Sequence, residues 1–172
     1  MIDLLRKRRS IRKFQDRPVE PEKVEILKEA ILRGPTARNL RSWEFVFVDD
    51  QALMKKLAQV RGSSSAFLDG APLGIVVLGK EETSDAWIED ASIAAFAAQL
   101  TATSIDLGSC WAHIRLRDHS PDQTAEEYVR ELLGIPKEYK VLCILAVGYP
   151  AEEKKGVPKD ELPYEKIHEN RF

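Results

Sequence analysis

The segment Leu73-Gly74-Ile75-Val76-Val77-Leu78 contains no polar side chain. A strand with one face in water alternates apolar and polar residues, so a strand apolar throughout must be covered on both faces. This segment therefore demands a sheet with helices packed on each side. Val141 to Val147 is a second run of the same kind. Trp43-Glu44-Phe45-Val46-Phe47-Val48 is aromatic and β-branched and predicts a third strand. Leu107-Gly108-Ser109-Cys110-Trp111-Ala112 predicts a turn into a short fourth.

The helices read from periodicity and punctuation. Asp3 to Lys7 predicts a short one. Pro21 suits a first helical turn, and Val24, Leu27, Ala30 and Ile31 then share one face up to Gly34-Pro35. Asp49-Asp50 opens a helix from about Gln51 to Val60. Trp87 to about Asp106 predicts a long helix rich in alanine, whose small side chains allow close approach of a second helix or a flat ligand. Thr124 to Leu133 predicts a helix ended by Gly134. Strands and helices alternate irregularly, which implies one mixed sheet with helices on both faces. No repeat or linker divides the 172 residues, so residues 1–172 read as a single domain. After Gly148-Tyr149-Pro150 the chain is polar and proline-punctuated, a tail with little core of its own.

Composition excludes several classes of function. Hydrophobic residues are 44 % and charged residues 31 %, ordinary for a soluble globular protein. No apolar run is long enough to span a bilayer, and no apolar signal segment follows the N-terminal charges, so the expectation is a cytoplasmic protein without membrane partners. A sequence pI near 6.0 argues against nucleic acid as a partner. Cys110 and Cys143 are far apart among apolar neighbours and read as buried free thiols. The three histidines lack metal-motif spacing, and no metal is expected. Glycine-rich phosphate loops and the Gly-x-Ser-x-Gly elbow are absent. Glu89 and Asp90 are adjacent on a helix and so point about 100° apart, which reads as helix solvation rather than a catalytic pair. With no nucleophile, metal or general base in view, an enzyme of this sequence would rely on a bound cofactor for its chemistry.

One segment concentrates charge. Six of the eight residues from Arg6 to Lys13 are basic, in a chain of net charge -2. Mutual repulsion at that density calls for an anion or for water. In an extended chain Arg8, Ser10 and Arg12 face one way and Arg9, Ile11 and Lys13 the other. Two guanidinium forks flanking a hydroxyl suit a phosphate and a polar ring edge. A solvated basic arm remains the alternative on charge alone.

Arg8-Arg9-Ser10-Ile11-Arg12-Lys13-Phe14 resembles the N-terminal signature of the FMN-dependent nitroreductase family. Pro35-Thr36-Ala37-Arg38-Asn39 followed by Trp43 is similar to the family's Pro-Ser-Ser-x-Asn loop and next strand, with Ala37 in place of the second serine. Leu107-Gly108-Ser109-Cys110-Trp111 resembles its Gly-Leu-Gly-Ser-Cys-Trp turn, and Leu133-Gly134-Ile135-Pro136 and Val147-Gly148-Tyr149-Pro150 are also similar to family segments. The resemblance implies an α+β fold of three layers, α/β/α, around a central mixed, largely antiparallel sheet. It implies a homodimer binding FMN at its interface, with NAD(P)H as electron donor and a small-molecule acceptor such as a nitroaromatic or quinone. By resemblance the flavin site comprises Arg8, Arg9, Ser10 and Arg12, then Pro35, Thr36, Ala37 and Asn39 from the other subunit, with Trp111, Ala112 and His113 along the ring. Lys159 matches one cation of a C-terminal Lys-x-Arg pair, and Glu161 stands where the other would be. The flavin would carry the chemistry, with no catalytic side chain, and residues 151–172 would wrap the partner subunit. A non-catalytic flavin- or ligand-binding protein on the same fold is the alternative function.

Overall fold

The computed structural model describes residues 1–172. Its elements are α1 (Ile2–Lys7), α2 (Pro21–Leu32), β1 (Trp43–Val48), α3 (Gln51–Leu57), β2 (Leu73–Gly79), α4 (Trp87–Ser104), β3 (Gly108–His113), β4 (Asp118–Ser120), β5 (Gln123–Thr124), α5 (Ala125–Leu133) and β6 (Lys140–Gly148). Four strands form one sheet in the order β1-β2-β6-β3, antiparallel at every junction. A single parallel bridge, Ser10 to Ser109, makes its edge mixed.

The two apolar runs are the two central strands. Every residue of β2 is buried. Leu73, Ile75 and Val77 face a core built with Leu27 and Ile31 of α2 and the alanines of α4. Val76 and Leu78 face a second core with Met54 and Leu57 of α3 and Ala125 and Val129 of α5. These are the three layers. A bulge opposite Val77 and Leu78 makes Leu142 and Cys143 face the same core in succession. Cys110 and Cys143 are both buried free thiols.

Several boundaries differ from expectation for local reasons. The last turn after α3 tightens into three-residue bonds, Gln59 N–H to Lys56 O and Val60 N–H to Leu57 O, so the α-helix stops at Leu57. Asp106 adopts φ 62, and the Leu107 N–H bonds back to Ala102 O at 2.8 Å, which ends α4 at Ser104. The hairpin β4–β5 has no apolar alternation in Asp118–Ser120 or Gln123–Thr124 and left no signal in the sequence.

The alanines of α4 are consumed inside the chain. Ala91, Ala94, Ala95, Ala98 and Ala102 are fully buried. A Cβ on Gly34, just past α2, would meet Ala94 Cα at 3.6 Å, so α2 and α4 pack closely at that point. The face left for a second molecule carries Ile93 and Phe96, 43 % and 40 % exposed, three residues apart on one side of the helix. The second helix that the small side chains admit is thus α2 of the same chain.

Helix α5 shows its signals plainly. The Thr124 hydroxyl accepts from the Glu127 N–H at 3.1 Å, the Glu127 carboxylate accepts from the Thr124 N–H at 2.9 Å, and Gly134 closes the helix at φ 65. Thr124→Ala removes this cap and is expected to lower stability by about 1 kcal/mol. A urea midpoint that moves down at constant slope is the expected reading, and an unmoved midpoint would show that the cap contributes nothing.

Candidate functional site

The basic segment leaves α1 and docks on the outer edge of the sheet. Arg8 is the C-cap of α1, with its N–H on Leu4 O. The Ile11 N–H donates to Ser109 O at 3.0 Å, and Ile11 is buried. Gly108 is required here, because a Cβ at that position would lie 2.9 Å from Ile11. Beyond it, the Glu152 carboxylate accepts from the N–H groups of Arg12 at 2.6 Å and Lys13 at 3.2 Å. Lys154 bonds both Glu152 and the Ser10 carbonyl. The arm is thus pinned by the start of the C-terminal tail, in a region the sequence read only as polar.

Its side chains divide unequally. Arg8 and Arg9 line a cavity of about 300 Å³ with Ile11, Thr103 and Gly108, and Asp106, Glu152 and Glu153 line it too. The Arg9 guanidinium donates to Lys155 O. Ser10 and Arg12 do not line the cavity. Burial pushes the Cys110 thiol pKa up, and the Arg12 and Lys154 charges and the Ser10 hydroxyl oppose it, which places them beside Cys110. Arg8 caps α1 and lines that cavity, which Ser10 and Arg12 do not. Neither Arg8 nor Arg12 has a carboxylate partner, whereas Arg6, Arg17, Arg33 and Arg38 all do.

Strand β3 carries Trp111, Ala112 and His113 along the open edge. Ser109 O accepts from Ile11 and His113 O accepts from Arg61 at 3.1 Å, so alternate residues direct their backbone groups off the sheet. Between them no backbone segment covers Trp111, whose carbonyl has only the Cys110 thiol at 4.0 Å. The Ser109 hydroxyl is buried beside the arm with no partner. The Trp111 indole donates to His113 Nδ1 at 3.3 Å. Burial lowers the His113 pKa, and the cations Arg117, Arg61 and Arg115 push it the same way.

The segment Pro35–Asn39 lies elsewhere. Asp90 accepts from the Ala37 N–H at 2.9 Å, and Arg38 pairs with Asp85. Asp90 is 3 % exposed, which corrects its reading as helix solvation: Glu89 takes the wet face, and Asp90 points inward to hold this loop. Three non-glycine residues within four positions, Arg38, Asn39 and Arg41, have φ of 52, 56 and 49. Thr36 and Asn39 brace them through Arg41, whose N–H and Nε donate at 3.2 Å to Thr36 Oγ1 and Asn39 Oδ1. Such strain persists where the surroundings overdetermine it and concentrates at functional sites. Asp90 sits in the first turn of α4, whereas Thr103 beside Arg8 sits in its last. Thirteen residues of helix separate them, about 20 Å. Within one chain the arm and this loop are at opposite ends of α4. Lys159 opens a short exposed 3₁₀ turn, Lys159–Glu161, in the tail.

The model of the nitroreductase family matches residues 5–64 and 59–149. This chain belongs to the nitroreductase family. Its fold superimposes with a TM-score of 0.98 on an FMN-dependent nitroreductase from Clostridium difficile R20291, at 46 % identity over all of both chains. An NADH dehydrogenase of Thermus thermophilus is 28 % identical, over 94 % of this chain and 91 % of its own. An NADPH-dependent oxidoreductase of Staphylococcus haemolyticus is 28 % identical over all of this chain and 74 % of its own length. In this nitroreductase Glu152 pins the arm and Asp90 the strained loop. Neither was legible in sequence, since an isolated acidic residue in a charged stretch gives no signal of burial or partner. No helix is long and apolar enough to cross a membrane.

Proposed function

We propose that the protein is an FMN-dependent oxidoreductase that takes hydride from NAD(P)H and delivers it to a small acceptor such as a nitroaromatic or a quinone. The observation that carries this reading is the arm. Arg8 and Arg12 lie at the open edge of β3 and neither forms an ion pair, although Asp106, Glu152 and Glu153 line the cavity beside Arg8. The residues fit the cofactor: guanidinium forks suit its phosphate and the pyrimidine edge, the orphaned Ser109 hydroxyl and the uncovered Trp111 backbone suit a polar planar ligand, and the indole offers a stacking face. Arg8, Arg9 and Ser10 would hold the phosphate and ribityl chain, Arg12 the pyrimidine edge, and Trp111, Ala112 and His113 the length of the ring.

Bound FMN supplies the two-electron chemistry. The chain's own contribution is binding, orientation and charge: Arg12 supplies a fixed positive charge where reduction places negative charge, and no side-chain base is required. Pro35, Thr36, Ala37 and Asn39 serve the site of a second copy, because they lie about 20 Å along α4 from their own arm. A two-fold dimer repeats that arrangement twice. Leu162, Tyr164, Ile167 and Phe172 of the tail are exposed and join neither core, which supports wrapping of the tail around the partner beyond residues 152–155, which hold the chain's own arm. The open edge of β1 is a further surface able to accept a segment of the partner. The test is the absorption spectrum of the purified protein, followed by addition of NADH or NADPH without oxygen. Flavin bands that bleach are expected. A colourless protein that takes up no added FMN would overturn the reading.

A further inference from the structure

Arginines without an ion pair gather in two groups, one at each end of β3; Arg41, Arg130 and Arg171 are unpaired elsewhere. The arm accounts for the first. The second surrounds His113, and nothing in the proposed binding of FMN uses it. Arg61 reaches the strand end through its bond to His113 O at 3.1 Å. The Arg115 guanidinium carbon lies 6.0 Å from the ring centre of Trp87. Arg117, two residues on, bonds only the neighbouring Leu116 carbonyl at 3.2 Å. None of the three forms an ion pair, and Asp118, although adjacent to Arg117, pairs with nothing. Three cations at one strand end, none of them ion-paired, repel each other, a cost that a bound anion removes.

The surroundings also favour an anion. Trp111 donates to His113 Nδ1, so the neutral ring carries its proton on Nε2 and offers a fourth donor. Arg61 and Arg115 are half-buried and already braced, so little freedom is lost when they bind. The two groups are separated by the six residues of β3, about 17 Å along the strand. FMN has one phosphate, and the arm is placed to take it.

We propose that Arg61, Arg115 and Arg117 form a subsite for an anionic group, a phosphate or carboxylate, on the molecule that exchanges electrons with the flavin. The proposal rests on the FMN reading above. The anion has two possible sources, the phosphates of the nicotinamide nucleotide or an acidic group on the acceptor, and guanidinium forks recognise both in the same way.

The test uses FMN-loaded protein and the variants Arg61→Gln and Arg117→Gln. Arg117 is exposed, so its replacement leaves the fold intact even if Arg61→Gln disturbs the end of β3. One arm titrates 2′-AMP and adenosine by calorimetry; the other compares KM for para-nitrobenzoate and nitrobenzene. Each variant is expected to reduce the preference for the anionic member of a pair by roughly tenfold, the loss of one charged hydrogen bond. Added salt should reduce it in the unaltered protein as well. A loss confined to the nucleotide pair assigns the subsite to the electron donor, and one confined to the nitro pair assigns it to the acceptor. Unchanged preference in both pairs, in protein that retains FMN, overturns the subsite alone. Variants that lose FMN without losing anion preference overturn it too, by returning the arginines to the flavin. Unaltered protein that takes up no FMN overturns the flavin reading and this proposal together.

Discussion

Replacing both Arg8 and Arg12 by alanine is expected to leave a folded protein that no longer retains FMN. Fold and site separate cleanly here, because the arm is held by groups other than these side chains. Its backbone bonds to Ser109, Ile11 is buried over Gly108, and Glu152 takes the Arg12 and Lys13 N–H groups. Neither guanidinium has a carboxylate partner, so their removal strands no buried charge. A charged hydrogen bond contributes about 1.5–3 kcal/mol before solvent screening, so two such losses weaken FMN binding on the order of a hundredfold or more. Lys13→Ala is the control, since Lys13 is a cation as exposed as Arg12 but is not among the charges that act on Cys110. The measurement is quenching of FMN fluorescence on titration, with circular dichroism to confirm folding. If the double variant binds FMN as tightly as the Lys13 control, the arm is not the flavin's anchor.

How much of this was legible in the sequence depends on whether the signal is local. Strand β1 runs from Trp43 to Val48 as read, because its aromatic and β-branched run is bounded by polar turns. The buried character of β2 and β6 was equally plain, since a strand covered on both faces cannot carry polar side chains. Thr124 and Gly134 gave both ends of α5. Pairings between distant segments left no such mark. Nothing near Ser10 announces Ser109, and nothing near Arg12 announces Glu152, because a single backbone bridge or a lone carboxylate does not alter periodicity. Asp90 was misread because its neighbour Glu89 is solvated, and only the position of the 36–41 loop decides which of the two turns inward. Arg61 is invisible for the same reason, being separated from His113 by more than fifty residues of chain.

Two variants that are each inactive should recover activity when mixed. One carries the Arg8 and Arg12 replacements, and the other replaces Thr36 and Asn39. The reasoning starts from α4, which holds the strained loop at its first turn through Asp90 and lies beside the arm at its last. About 20 Å of helix prevents the two from meeting on one ligand within a chain. The exposed pair Ile93 and Phe96 lies on the same helix, and the tail leaves Leu162, Tyr164 and Ile167 in water, so a second copy has apolar surface to cover. A two-fold relation that buries those surfaces and brings each arm to the other chain's loop creates two sites, each built from one arm and one foreign loop. In a mixed dimer one site then receives both defects and the other receives neither. Half of the mixed dimer's sites are therefore intact, and random exchange makes about half of all dimers mixed, so roughly a quarter of the unaltered activity should return. Sedimentation should show the unaltered protein as a dimer, and subunit exchange is confirmed by mass spectrometry on differently tagged chains. A monomer that binds FMN fully would sink the shared site, as would confirmed mixed dimers that remain inactive.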